Sequence, residues 1–229
     1  FLDIASHQLK TPISVIRGTL SMFRDGSMDN LPEAEKKKFM DNIYHKTEKL
    51  NIIVADILRA SELDSEDFKI DPKTAQQAHL EDVLKEVVND LKELADKKQI
   101  DLKLILPSIK TSPVHTNIDL LEQAFYNLVD NAIKYTQQGE VVISLSEKSN
   151  KLIVEVKDSG MGIPLADQKK LFDKFSRGKN AVNMYADGSG LGLFIVKKII
   201  EAHQSGKISV VSREGEGTRF IVELLPVLK

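Results

Sequence analysis

The most constraining feature of this sequence is a pair of long apolar stripes in the first part of the chain. In each stripe the positions recur at alternating spacings of four and three residues, which is typical of helices that pack as in a coiled coil. We therefore expect a helix that ends near Arg24, a loop, and a second long helix that begins after Pro32. The stripes run through Leu2, Ser6, Leu9, Ile13, Ile16, Leu20 and Phe23, and through Phe39, Ile43, Lys46, Leu50, Ile53, Ile57 and Ala60.

Both stripes are broader than two helices packed against each other can cover. The second stripe is widened by Met40, Tyr44, Val54 and Leu58. Two hairpins that pair into a four-helix bundle would bury this excess apolar surface, so the sequence predicts a homodimer. The alternative is a hairpin that packs against the remainder of its own chain.

His7 lies one residue past the seam of the first stripe, at the edge between the apolar face and water. An imidazole at that edge is held by the helix and is still open to a reagent. Pro12 lacks an N–H, and its ring clashes with the carbonyl of Gln8, so we expect the helix to kink or loosen beside the histidine. A solvated surface histidine is the alternative interpretation, and the rest of the chain decides between the two.

The remaining sequence divides the chain into two domains. A polar, acidic segment follows the second helix, and the hydrophobic pattern changes after it. We predict a helical domain over residues 1–63, a linker over 64–70 and a second domain over 71–229. Strand and helix patterns alternate in the second domain, which favours an α/β sandwich with a mixed sheet and helices on one face.

The sequence after the second helix has three predicted helices and six predicted strands, the first of which lies at the end of the linker. Asn117 or Asp119 is expected to cap the middle helix, which reaches Tyr135. The predicted helices are 79–97, 117–135 and 190–203, and the predicted strands are 68–70, 100–106, 141–145, 151–157, 207–211 and 218–224.

The composition excludes several classes of function. The formal net charge is -2 and no long basic run occurs, so we expect no nucleic-acid partner. The chain has no cysteine, which excludes disulfides and suits the cytoplasm. No apolar run is long enough to cross a bilayer. Because Phe1 already lies inside a helical pattern, we expect a missing upstream region, and only through it would the protein reach a membrane.

The stretch NLVDNAIKYT, residues 127–136, has polar residues on one side of a predicted helix. Asn127 and Asn131 are four residues apart and share a helix face, and Lys134 lies beside it. Two carboxamides and an ammonium suit a hydrated Mg²⁺ ion with phosphate groups, because Mg²⁺ prefers oxygen ligands. The alternative is a solvated face, but the apolar residues between them mark the opposite side as the buried one.

The stretch DSGMGIP, residues 158–164, follows a predicted strand. Gly160 and Gly162 allow a flat ligand to approach the backbone closely. The carboxylate of Asp158 can accept a hydrogen bond from an exocyclic amine such as that of adenine. Ordinary turns often have the same pattern, so this motif alone is a weak signal.

Two further motifs flank a segment of low apolar content. In LFDKFSRG, Phe172 and Phe175 can anchor a flap while Arg177 contacts anions, although aromatic residues at this spacing are more often plain core. The segment 176–189 is predicted to be a mobile lid over the ligand. In DGSGLGLFIVK, the glycines run into a helix whose free N–H groups can bind phosphate. These glycines are Gly188, Gly190 and Gly192.

Taken together and in this order, these motifs resemble those of the sensor histidine kinases of bacterial two-component systems. SHQLKTP is similar to the phosphoacceptor box of that family, and the four later stretches are similar to its N, G1, F and G2 boxes. GEGTRF, residues 215–220, is similar to its final turn and strand. The resemblance covers essentially the whole chain. It implies a dimeric four-helix bundle followed by a Bergerat-type ATP-binding domain.

The resemblance also implies an activity. His7 would take the γ-phosphoryl group of ATP and pass it to an aspartate on the receiver domain of a response regulator. Arg177 would help to stabilise the transferring group, and Asn131 and Asn127 would hold Mg²⁺. The nucleotide would be bound by Asn127, Asn131, Lys134, Tyr135, Asp158, Gly160, Gly162, Gly188, Gly190, Gly192 and Thr218.

One position departs from the pattern of the family. An acidic residue usually follows the phosphoacceptor histidine, whereas this chain has Gln8. A carboxamide can orient the imidazole but cannot accept its proton, so we expect slow autophosphorylation or another proton acceptor. Thr11 matches the position that the family associates with phosphatase activity, which implies a second activity toward the regulator.

Two other functions remain open at this stage. Gyrase-like, mismatch-repair-like and heat-shock-like ATPases resemble this nucleotide fold, but they have a glutamate four residues before the metal-binding asparagine. Asn127 stands at that position and cannot take a proton from water. A second alternative is an ATP-binding pseudokinase that serves as a dimeric scaffold, which the presence of Gln8 favours and the presence of His7 opposes.

Overall fold

The structure of the protein is a computed structural model that describes residues 2–65, 68–71, 73–178 and 188–227. The chain forms two compact units, Phe1–Ser61 and Glu62–Lys229. No helix among these described residues is long and apolar enough to cross a membrane.

The first unit is a helical hairpin, as predicted. Helix α1 (Leu2–Arg24) continues through Pro12 without ending there. Helix α2 (Glu33–Leu63) has Glu33 and Glu35 in its first turn, where the positive end of the helix dipole favours them. The Ser27 N–H donates to Asp25 Oδ1 at 3.0 Å in the connecting loop.

Many apolar residues of the hairpin are exposed. Tyr44, Ile52 and Leu58 are 63%, 62% and 60% exposed on α2, and Ile13 and Leu20 are each 48% exposed on α1. The apolar stripes are therefore only partly covered within one copy of the chain.

The second unit is an α/β sandwich with a mixed sheet, as predicted. Its helices are α3 (Leu80–Lys97), α4 (Ile118–Tyr135), α5 (Leu165–Gln168) and α6 (Gly192–Glu201). Its strands are β1 (Gln76–Ala78), β2 (Ile100–Ile105), β3 (Val114–Thr116), β4 (Gly139–Lys148), β5 (Lys151–Asp158), β6 (Lys207–Arg213) and β7 (Gly217–Leu224).

The main sheet has the strand order β2-β4-β5-β7-β6. Strands β2 and β4 are parallel, and the other neighbours are antiparallel. Helices α3, α4 and α6 pack against the sheet, and alternate strand residues on the covered face form the core. These core residues include Val141, Ile143, Leu145, Leu152, Val154, Val156, Phe220, Val222 and Leu224.

The prediction of a strand at residues 68–70 is wrong, because these residues have no regular structure. Instead, the short strand β1 pairs antiparallel with β3 in a separate two-stranded sheet. The sequence of β1 is Gln76-Gln77-Ala78, and such a short polar strand carries no alternating pattern. The long-range pairing with β3 holds it in place.

Helix α4 begins as predicted. Asn117 is the N-cap, and its side chain accepts a hydrogen bond from the Leu120 N–H at 3.2 Å. Helix α6 starts at Gly192, two residues later than predicted, because Gly190 has a φ of +71° that lies outside the helical region.

Candidate nucleotide-binding and phosphoacceptor sites

Helix α4 carries the polar stripe of the predicted nucleotide site. A β-carbon at Gly192 would lie 3.8 Å from Asn127 Cγ, so the first residue of α6 lies directly against this asparagine. Asn127 Nδ2 is buried and has no hydrogen-bond partner among the described residues. Asn131 is half-buried one turn further along. An unsatisfied buried amide costs free energy, and this one is placed where a ligand would satisfy it.

Lys134 forms an ion pair on the same helix. Its Nζ lies 2.5 Å from Asp130 Oδ2, four residues earlier. The Asp130 side chain is 15% exposed, so the pair is partly shielded from water. The ammonium is thereby held one turn back along α4, at Asp130.

The end of α4 touches the glycine loop that follows β5. The Met161 N–H donates to the Tyr135 carbonyl at 3.2 Å. A β-carbon at Gly160 would lie 2.4 Å from the same carbonyl oxygen, so only glycine fits at this position without a shift of the backbone. Two of the predicted motifs are thus joined through backbone atoms.

Asp158 is the buried carboxylate at the end of β5. Its Oδ1 accepts hydrogen bonds from the Gly160 N–H at 2.8 Å and from the Thr218 N–H at 3.1 Å. Burial raises the pKa of Asp158, and these two N–H groups lower it in part. Asp158 is only 5% exposed, and its position links the glycine loop with β7.

Ser212 and Gln168 support this end of the site, and both lack a sequence motif. The Ser212 hydroxyl accepts from the Ile163 N–H at 2.8 Å and donates to the Gly217 carbonyl at 2.8 Å. Its Oγ also lies 3.0 Å from Thr218 Oγ1. Gln168 Nε2 donates to the carbonyls of Ile163 and Ser212 at 2.7 and 3.0 Å.

Gln123 is a further polar residue that the sequence motifs did not include. Its Oε1 is buried, and it has no partner in the described part of the chain. It lies one turn before Asn127 on the same face of α4. That spacing is the signal by which sequence reasoning could have found it.

The glycines before α6 lie against Arg177. A β-carbon at Gly188 would be 3.7 Å from the guanidinium carbon, and one at Gly190 would be 3.1 Å from Arg177 Cγ. A β-carbon at Gly190 would also come within 2.9 Å of the Phe175 backbone. The F and G2 motifs therefore pack together. Most of the predicted lid, residues 179–187, lies outside the described residues.

Several of the predicted nucleotide residues fall into three groups within the second unit, whereas Asn131 and Lys134 lie on α4 outside these groups. One group surrounds Asp158, a second joins Arg177 to two glycines, and a third pairs Asn127 with Gly192. Helix α4 connects the first group with the third, because it carries both Tyr135 and Asn127.

A divalent ion at this site would depend on amide ligands. The described residues contain no group of three or more histidine, cysteine, aspartate or glutamate side chains that could hold a metal. Carboxamide oxygens together with phosphate oxygens are suitable ligands for Mg²⁺. The unpartnered atom of Asn127 within the described structure is Nδ2, a donor that suits a phosphate oxygen. Its Oδ1 is the atom that would bind such an ion.

The phosphoacceptor candidates lie on α1 of the first unit. His7 and Thr11 are exposed, and Gln8 is half-buried. The Thr11 hydroxyl donates to the His7 carbonyl at 3.1 Å. Thr11 therefore shares a helix face with His7, as the spacing of four predicts.

Two family models match the chain. The model described as His Kinase A (phospho-acceptor) domain matches residues 1–66. The model described as Histidine kinase-, DNA gyrase B-, and HSP90-like ATPase matches residues 116–228.

Among curated proteins, the sensor protein SrrB of Staphylococcus aureus (strain NCTC 8325 / PS 47) is 32% identical to this chain over 225 residues. The match covers 98% of this chain and 37% of SrrB. The chain therefore spans little more than a third of the length of the curated relatives that it matches.

Solved structures of similar proteins have the same fold. The Acinetobacter baumannii histidine kinase AdeS matches with a TM-score of 0.76 and 25% identity, over 97% of this chain and 98% of that chain. Histidine kinase ThkA in complex with the response regulator protein TrrA matches with a TM-score of 0.74 and 26% identity, over 97% of this chain and 60% of that chain. The catalytic domain of ThkA is 31% identical, with a TM-score of 0.57, over 66% of this chain and 97% of that chain.

Proposed function

This chain belongs to the sensor histidine kinases, and from that premise we propose that it is an ATP-dependent histidine autokinase of a two-component system. One observation carries the proposal: an exposed histidine lies in the segment that the phospho-acceptor model matches, in a chain whose second unit brings several of the predicted nucleotide motifs into contact. His7 takes the γ-phosphoryl group of ATP and passes it to an aspartate of a response regulator.

The reaction is a substitution at phosphorus. A ring nitrogen of His7 attacks the γ-phosphorus, a P–N bond forms, and the bond from the γ-phosphorus to its bridging oxygen breaks to release ADP. A neutral imidazole is nucleophilic near neutral pH. The proton that the ring loses cannot pass to Gln8, because a carboxamide is not a base. It is released to water or to another acceptor, so we expect slow autophosphorylation.

The second unit binds and orients the nucleotide. Asp158 accepts the adenine amine, and Gly160, Gly162 and Thr218 shape the same end of the site. Lys134 contacts phosphate, and Tyr135 lines the pocket. Phosphoryl transfer depends mainly on positioning and on neutralised charge, which such residues supply.

The phosphate end of the site is formed by cationic and glycine residues. Gly188, Gly190 and Gly192 leave room for phosphate near the start of α6. Arg177 stabilises the group in transfer, and its contacts with two of these glycines support that role. Asn131 and Asn127 would hold Mg²⁺, which would supply charge neutralisation at the phosphate groups.

The first unit carries the surfaces that bind partner proteins. The exposed apolar residues of α1 and α2 support a homodimer that forms a four-helix bundle. The receiver domain of the regulator docks near His7. Thr11 shares the face of His7, which supports a second activity, hydrolysis of the phosphoryl group on the regulator. We place this part of the protein in the cytoplasm.

The first test is incubation with γ-labelled ATP and Mg²⁺, with His7→Ala as the variant and His45→Ala as the control. His45 is also exposed and helical, on α2 of the same hairpin. We expect label on the wild-type protein and on His45→Ala, and none on His7→Ala. The label should be labile in acid and stable in alkali, as a phosphoramidate is.

Two results would reject the autokinase. One is labelling of His7→Ala equal to that of wild type. The other is an absence of label on a wild-type protein that still binds ATP, which would favour the scaffold or a phosphatase. Phosphate released to solution without label on the protein would instead indicate an ATPase.

A further inference from the structure

The C-terminal end of α4 has an unusual set of partners. The last four carbonyls of a helix have no partner within the helix and must be satisfied from outside. In α4 these belong to residues 132–135. The Ala132 carbonyl accepts from the Thr136 hydroxyl at 2.7 Å, and the Tyr135 carbonyl accepts from the Met161 N–H at 3.2 Å.

The other two carbonyls share one cation. Lys98 Nζ donates to the Ile133 carbonyl at 3.0 Å and to the Lys134 carbonyl at 3.1 Å. A positive charge at this end of a helix is stabilised by the helix dipole. All four terminal carbonyls of α4 are therefore satisfied, and Lys98 alone serves two of them.

Lys98 is held in place by its own backbone. It is the C-cap of α3, and its N–H donates to the carbonyls of Leu94 and Ala95 at 3.3 and 3.1 Å. The next residue, Gln99, has a φ of 58° and turns the chain into β2. The end of α3 thus presents the ammonium of Lys98 to the end of α4.

The residues that this cap holds belong to the nucleotide site. The Lys134 carbonyl accepts from Lys98, the Lys134 ammonium pairs with Asp130 Oδ2 at 2.5 Å, and Asn131 lies one turn earlier. In the proposed function Lys134 is the residue that contacts phosphate. The adenine end is held differently, because Met161 fixes the Tyr135 carbonyl and two N–H groups fix Asp158. We therefore expect loss of the Lys98 ammonium to disturb the phosphate end of the site more than the adenine end.

We propose that Lys98 is a positioning residue for phosphate binding, and that it acts by capping the last turn of α4. The proposal rests on the proposed function, since it requires ATP to bind beside α4. Without the ammonium, the carbonyls of Ile133 and Lys134 lose their donor. The last turn then opens more often, and Lys134 leaves its position at the phosphate end.

The test compares substitutions at two neighbouring lysines. Lys98→Met removes the cap and keeps the length of the side chain, and Lys98→Arg keeps a cation that can donate. Lys97→Met is the matched control, because Lys97 is exposed and its ammonium pairs with Glu93 on α3 at 2.6 Å. Calorimetric titration with ATP and with adenosine, both with Mg²⁺, gives the two affinities for each variant.

We expect Lys98→Met to weaken ATP binding about tenfold, the change that loss of a charged hydrogen bond produces. Adenosine binding should change less than about twofold, because the contacts of Asp158 remain. Lys98→Arg should recover most of the ATP affinity, and Lys97→Met should equal wild type. Equal losses for ATP and adenosine, or unchanged ATP binding in Lys98→Met, would overturn the proposal.

Amide hydrogen exchange tests the cap without nucleotide. Exchange at the last turn of α4 should be about tenfold faster in Lys98→Met than in Lys97→Met, with other core amides unchanged. A failure of the wild-type protein to bind ATP would reject the proposed function. The hydrogen-exchange measurement would still show whether Lys98 stabilises the last turn of α4. If Lys98→Met does not fold, Lys98→Gln is compared with Lys98→Arg in the same way.

Discussion

At the scale of single residues, two glycines of the nucleotide end show different constraints. Gly162 has a φ of +66°, and a β-carbon there would lie 1.9 Å from the Arg213 carbonyl oxygen. Gly215 has a φ of +81°, but no atom lies within 4 Å of the position of its β-carbon. At both positions the positive φ disfavours any residue that has a β-carbon. Only at Gly162 would the β-carbon also clash with a neighbouring atom.

We expect Gly215→Ala to lower the free energy of unfolding by about 1 kcal/mol, which is the cost of a left-handed backbone. Gly162→Ala should lower it by about 3 kcal/mol or more, because overpacking adds to that cost. Urea denaturation of both variants measures the difference. Equal losses would show that the contact with Arg213 is relieved by a small shift.

The residues of the candidate site could be proposed from sequence motifs, whereas the residues that support them could not. The motifs located Asp158, Gly160 and Gly162, because charge and glycine spacing are visible in a sequence. They did not reveal Ser212 or Gln168, because an isolated serine or glutamine has no pattern. Their hydrogen bonds arise only when the end of β6 and helix α5 meet at Ile163, just after the glycine loop.

At the scale of elements, α4 and α6 are joined at one end by a buried histidine. His203 lies just after α6, and its Nε2 is 2.8 Å from Thr116 Oγ1, just before α4. Its Nδ1 lies 2.9 Å from the Ile199 carbonyl oxygen. Burial lowers the pKa of His203, although its backbone contacts raise it in part.

This lowered pKa predicts a dependence of stability on pH. The unfolded chain binds a proton near the ordinary histidine pKa of about 6.5, and the folded chain binds it only at lower pH. The contribution of His203 is therefore complete above about pH 6.5 and is lost as the pH falls toward the folded-state value. We expect the urea concentration at the unfolding midpoint to decrease as the pH is lowered from about 7 to about 5.

The variants His203→Gln and His115→Gln test this expectation. The His203 variant should have a flatter pH dependence than wild type, because the buried titrating group is gone. His115 is exposed on β3, and its replacement should leave the slope unchanged. Identical slopes for all three proteins would contradict the role of His203.

Most elements followed from periodicity, whereas the short ones did not. Long amphipathic segments such as α3 and α4 repeat their pattern often enough to be recognised. The strands β1 and β3 have three residues each, and α5 has four. Elements of that length are stabilised by the partner that they meet, which a local pattern does not contain.

At the scale of the whole molecule, the exposed apolar residues of the hairpin predict self-association. Leu58 is 60% exposed on α2. We expect the wild-type chain to sediment as a dimer and Leu58→Glu as a monomer, because a carboxylate cannot be buried at an apolar seam. Leu165→Glu is the control, since Leu165 is 79% exposed in the second unit and should leave the dimer intact.

A wild-type monomer at micromolar concentration would contradict the four-helix bundle. So would a Leu58→Glu protein that remains dimeric.

The heptad-like spacing could predict an apolar seam, but it could not predict how much of that seam one chain covers. That quantity depends on the packing of complete helices.

The order of strands in the main sheet has a consequence for solubility. Strands β2 and β6 are at the edges, where unpaired backbone groups can recruit a strand from another molecule. Each edge carries exposed charges, Asp101 and Lys103 on β2 and Lys207 and Arg213 on β6. Such charges discourage edge-to-edge aggregation, so the sheet resists joining other copies while the hairpin retains an apolar surface for pairing.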